Sequence, residues 1–188
     1  MDLSFIDYKT AITIVHLFGV VLGAGGAIAS DFIFFSSIKD KKITSTELRF
    51  LRVGSHMVWI GVALLVISGI LIFFTDPVNY LQSSKFLSKM AIVAVVILNG
   101  IFFHLSHLPH IHRYIGQHLP TSKEFMKKSS ALLVSGAVSM VSWSVAVVLG
   151  SLPSLPFSFA EIFLSYLVVV AVAASVAILS KNHILGSK

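Results

Sequence analysis

Residues 10–38 read TAITIVHLFGVVLGAGGAIASDFIFFSSI, a run in which Asp31 is the single formally charged side chain. A helix needs about 20 predominantly apolar residues to cross a bilayer, and this run exceeds that length. Four further segments of the same character follow: Val53–Thr75, Phe86–His107, Ser129–Gly150 and Phe157–Ser180. They are too long and too uniformly apolar for barrel strands, whose lipid-facing and lumen-facing residues alternate. The chain of 188 residues is 56% hydrophobic and 12% charged, with a mean hydropathy of +0.92. Soluble domains carry roughly 25% charged residues, which excludes that class here. The expected architecture is all-α: one polytopic membrane helix bundle over residues 1–188 with five transmembrane helices and no separate soluble domain.

Lys and Arg number 14 against 8 Asp and Glu, giving a net charge of +6. The basic residues sit between apolar spans, so they read as topology signals and lipid contacts, and nucleic acid is not expected as a partner. The loop after the first span carries Lys39, Lys41, Lys42, Arg49 and Arg52 against Asp40 and Glu47. The loop after the third carries Arg113, Lys123, Lys127 and Lys128 against Glu124. The leader, with Asp2, Asp7 and Lys9, is net acidic, unlike the basic start of a signal peptide. Positive-inside then predicts an external N-terminus and a cytoplasmic C-terminus, as an odd number of spans requires. Thr44-Ser45-Thr46-Glu47 has the S/T-x-x-E pattern of a capping box and predicts the start of the helix that enters the second span. The absence of cysteine excludes disulfides, thiolate metal sites and covalent c-type haem attachment.

Ionisable groups within spans are costly and are functional candidates by default. At 1.5 Å per residue, His16, Lys89 and Glu161 fall in one layer near the external ends of three spans. Asp31, His56, His104 and His107 form a second layer near the cytoplasmic ends. His16, Gly19, Gly23, Gly26 and Ser30 lie on one stripe of the first helix. Such a stripe serves close helix packing, of which Gly19-x-x-x-Gly23 is a recognised form, or offers a smooth wall for a flat macrocycle beside an axial histidine. Lys89 either snorkels to the headgroups or, once it has lost its proton, acts as a ligand. His56, His104 and Asp31 are secondary metal candidates, although interfacial histidines are more commonly just solvated. His110, His112 and His118 in the third loop give a weaker, unspecific signal. Ser135, Ser139 and Ser142 form a small-residue stripe on the fourth span, most simply a packing face, and Asn99 is a further polar residue within the third.

Ile14-Val15-His16-Leu17-Phe18, with the small-residue helix ending in Phe32-Ile33-Phe34-Phe35, resembles the first helix of the bacterial haem-dependent membrane protoporphyrinogen oxidases. Phe86-Leu87-Ser88-Lys89-Met90-Ala91-Ile92-Val93 resembles the third helix of that family, and membrane proteins of the copper-resistance D type share the layout. The resemblance covers roughly residues 1–108. It implies haem b with His16 and Lys89 as axial ligands. Gly23 stands where the oxidases have tryptophan, Asp31 and Phe32 stand where they have a Pro-Arg pair, and a fifth span is added. Haem binding is therefore a firmer expectation than protoporphyrinogen oxidation.

Three functions compete on these grounds. The first is a b-type haem protein of electron transfer or oxidation in a bacterial cytoplasmic (inner) membrane. Its haem is held by His16 and Lys89 against Gly19, Gly23 and Gly26, with Glu161 or Tyr80 as a proton relay. Its surroundings would be membrane lipid and a redox partner, quinone or porphyrin, with a homodimer suggested by the glycine-rich first span. The second is a copper-type metal-ion binding or transport protein, with His16 outside and His56, His104 and Asp31 inside as stations along a path. The third is a cofactor-free assembly factor.

Overall fold

The computed structural model describes residues 7–39, 44–107, 109, 112 and 123–180. Most of the third-loop charges, with His110 and His118, and the charges of the two termini other than Asp7 and Lys9 lie outside these residues or have side chains that do. The described chain is helical: α1 (Tyr8–Lys39), α2 (Ser45–Phe73), a short α3 (Pro77–Gln82), α4 (Ser84–Phe102), α5 (Lys123–Ser151) and α6 (Phe159–Leu179). A π-helical turn, Phe103–His107, extends α4 and buries the His107 ring edge-on against Phe102 and Phe103. Five helices are long and apolar enough to cross a membrane, over Tyr8–Ser37, Ser45–Phe73, Ser84–His107, Ser129–Ser151 and Phe159–Leu179. The protein is a multi-pass membrane helix bundle.

Helix starts follow from local chemistry. Thr44 caps α2: its hydroxyl accepts from the Glu47 N–H, and the Glu47 carboxylate accepts from the Thr44 N–H at 2.7 Å. Ser158 and Glu161 repeat this reciprocal box at the start of α6. Each satisfies N–H groups that the helix leaves without partners. Thr44→Ala is expected to lower the thermal midpoint in detergent by the equivalent of about 1 kcal/mol. An unchanged midpoint would show that the turn is held by its neighbours instead. At the start of α1, Asp7 accepts from the Thr10 N–H at 2.6 Å, and this bond holds its carboxyl below the usual carboxylate range. The lowered value means that the cap is fully formed above the ordinary carboxylate pKa of about 3.9 and is lost as pH falls through the folded value. Acid titration should therefore fray the first turn of α1 below about pH 4, read from the Thr10 amide shift by NMR.

Packing divides the bundle into two groups. The antiparallel pair α1 and α2 forms the most extensive interface; α4, α5 and α6 pack against one another, and α1 joins the groups through α5. The α1–α2 interface is glycine on glycine. A Cβ at Gly61 would strike the backbone of Gly23, a Cβ at Gly19 would lie 2.9 Å from the Leu65 side chain, and one at Gly26 would lie 3.0 Å from Met57. Ala24, Ala27, Val62, Val96 and Trp143 make the core where α1, α2, α4 and α5 meet. Ile92, Ala146, Leu149, Ile162 and Tyr166 make a second core within α4, α5 and α6. Large exposed side chains such as Phe18, Leu164 and Val168 face outward, as lipid contact demands.

Candidate functional site

His16 and Lys89 come to the same end of the bundle, where α1 and α4 begin and α2 ends. The His16 ring lies against the last part of α2. Its Nδ1 is 2.9 Å from the Ser68 hydroxyl, and its Cε1 approaches Gly69. Ser68 is buried, and its own proton goes to the Leu64 carbonyl one turn back. A hydroxyl whose hydrogen is committed can only accept, so the network assigns the imidazole proton to Nδ1 and leaves the Nε2 lone pair uncommitted. Nε2 makes no hydrogen bond with any described residue.

Lys89 is close enough to His16 for the two to interact electrostatically. Its Nζ rests over the backbone of Gly150 on α5, 3.3 Å from the place a Cβ would take. The amine forms no hydrogen bond or ion pair with a described residue. It lines a cleft of about 420 Å³ together with Asp76, Asn79, Tyr80, Lys85 and Phe86. Lys85 fastens this region by donating to the carbonyls of Leu152 and Pro153 at 2.6 and 2.7 Å, which ties the start of α4 to the α5–α6 connection. Beside it Phe73 stacks on Phe86, with Tyr80 tilted against both rings. α1 and α4 each pack more extensively on α5 than on one another.

The pair fits the donor set of a haem iron, an imidazole nitrogen and an amine, neither engaged by a described residue. The glycines do not extend that fit. Gly19, Gly23 and Gly26 are covered by α2, with the Trp143 ring also pressed onto Gly23, so the stripe is a packing face and offers no open wall to a macrocycle. That corrects the expectation of a glycine wall, and the reason is that α2 carries matching glycines at positions 54 and 61. Glu161 spends its carboxylate on its own helix cap, accepting from the Ser158 N–H and hydroxyl at 2.8 Å. Tyr80 does line the Lys89 cleft.

The second layer is dispersed. His56 is exposed and binds its own backbone through the Arg52 carbonyl, whereas His104 turns to Ser55 at 3.4 Å. Asp31 faces α5 instead, with the Ser139 hydroxyl directed at it. Among the described residues no three His, Cys, Asp or Glu side chains gather as a metal-ligating group. Two polar ties escaped the sequence reading. Asn99 and Ser135 exchange hydrogen bonds between α4 and α5, and Ser142 meets the Tyr166 hydroxyl between α5 and α6. The serine stripe was the available signal, and the partners on other helices were not. Comparison with protein-family models, with curated proteins and with solved structures finds no match to this chain.

Proposed function

We propose that this is a b-type haem-binding integral membrane protein of a bacterial cytoplasmic membrane, acting in electron transfer or oxidation, with His16 of α1 and Lys89 of α4 as the iron ligands. The observation that carries the reading is the hydrogen bond from His16 Nδ1 to Ser68, which leaves Nε2 available at the end of the bundle that also holds the uncommitted amine of Lys89. Metal-bound histidines commonly donate their other ring N–H to a fixed acceptor, which sets the tautomer and the ring plane. Ser68 fills that role, and its bond to Leu64 in turn fixes the hydroxyl.

When bound, haem supplies one-electron chemistry whose potential is tuned by its axial ligands and by burial. The chain does the rest. Ser68 orients the imidazole, Lys85 anchors the first turn of α4, one turn before Lys89, and Tyr80 and Phe86 give the neighbouring cleft an aromatic side. The approach of a quinone, a porphyrin or a protein redox partner through that cleft belongs to the same proposal. The test is an absorption spectrum of the detergent-purified protein supplied with haem, oxidised and then dithionite-reduced. A Soret peak with sharpened reduced α and β bands supports the reading, and a featureless visible spectrum overturns it.

A further inference from the structure

Asp31 lies well along α1 from His16, and at 1.5 Å per residue the two are roughly 22 Å apart on the helix axis. It belongs to a different site. Between α1, α2, α4 and α5 the helices leave a cavity of about 70 Å³, whose polar lining is Ser30, Asp31, Ser55, Asn99, Ser135 and Ser139. Two of these oxygens, Ser30 Oγ and Asp31 Oδ2, are shut off from the surface and have no hydrogen-bond partner. Gly136 gives the carboxylate room against α5, and the Ser139 hydroxyl is directed at it. Asn99 and Ser135 hold each other through reciprocal bonds, so Asn99 Oδ1 keeps its second lone pair.

A lone carboxylate at this depth is expensive in lipid, and orphaned oxygens add to the cost. The lining contains no other charge. A monovalent cation therefore leaves the site neutral, whereas a divalent ion leaves it with an uncompensated positive charge. Every polar donor is a carboxylate, hydroxyl or amide oxygen, with no imidazole or sulfur, and such hard oxygens suit alkali and alkaline-earth ions over transition metals. The volume accommodates about two water-sized bodies, at ~30 Å³ each. We infer that this cavity is a binding site for one small, largely dehydrated monovalent cation, sodium, held by Asp31 with the surrounding serine and asparagine oxygens. Asp31 is the titratable side chain among the residues that line the cavity, and His104 reaches one of them, Ser55, at 3.4 Å.

The experiment is the thermal midpoint of the full chain in detergent, with chloride held constant and sodium replaced by potassium or choline, alongside equilibrium binding of radioactive sodium. Expected are a saturable rise in midpoint specific to sodium and one ion bound per chain. Asp31→Asn should abolish both, and Ser139→Ala should weaken sodium binding about tenfold. Ser175→Ala, which alters a hydroxyl bonded only within α6, should leave the response intact. Ser139→Ala keeps the test decisive if Asp31→Asn does not fold. Equal midpoints in the three salts with no bound sodium, or an undiminished response in Asp31→Asn or Ser139→Ala, would overturn the assignment in favour of a protonated acid or ordinary water. The titration needs no haem, so its outcome is independent of the His16–Lys89 reading.

Discussion

His16→Ala is expected to eliminate the Soret band of the haem-supplied protein, and Lys89→Ala to eliminate it or convert the spectrum to a high-spin form. Among the described residues, His16 contributes the one imidazole nitrogen at this end of the bundle that is oriented by a buried partner and left open on its other side. Alanine removes the donor and its bond to Ser68 of α2, but leaves the glycine contacts between α1 and α2 in place. Ser68→Ala separates ligation from mere folding. The imidazole stays but loses the acceptor that fixes its tautomer, so haem should still bind, about tenfold more weakly, with shifted reduced bands. A structural role for His16 would instead show as equal losses of thermal stability in His16→Ala and Ser68→Ala with no spectral change. A Soret band intact in both the His16 and Lys89 variants would place the haem elsewhere and end this assignment.

Gly61→Ala should cost about 3 kcal/mol. Its Cβ would run into the backbone nitrogen and Cα of Gly23, with the Gly19 carbonyl 2.8 Å away. No rotamer relieves a clash with main chain, so α1 and α2 must move apart. Gly25→Ala is the matched control, since no atom lies within 4 Å of the place its Cβ would take. In a helix, alanine there is expected to be neutral or slightly stabilising. A thermal midpoint in detergent for each variant decides the matter. If both shift alike, the glycines act through helix propensity and not through contact. Separation of α1 from α2 would also pull His16 away from Ser68, so Gly61→Ala should weaken haem binding from a distance.

The architecture was legible because bilayer thickness and backbone hydrogen bonding leave a chain of this hydropathy few alternatives. Span boundaries fell within about two residues except at the start of the second span, expected at Val53 and found at Ser45, where the capping box at Thr44 begins the helix. The site was legible only in part. His16 and Lys89 were placed at one depth by counting residues, since rise per residue is fixed. The rotational phase of one helix against another is not fixed in that way. The glycine stripe therefore read equally as wall or packing face until Gly54 and Gly61 of α2 were seen opposite it. For the same reason the link from His16 to Ser68, more than fifty residues apart, had no local signature. The grouping of Asp31 with His56 and His104 relied on depth alone. In three dimensions Asp31 turns toward hydroxyls on α5, and the histidines turn to partners on other faces.

The placement of tryptophan has a practical outcome. The chain contains two, Trp59 on α2 and Trp143 on α5, and both border the cavity between the helix pair and the three-helix group. Trp143 is also the wedge that seats one group on the other at Gly23. Tryptophan emission from this protein, excited at its red edge, therefore arises at the seam between its two halves. Any loosening there that admits water should redden and dim the signal before the helices themselves unwind. The molecule carries its own optical strain gauge, with no label to attach.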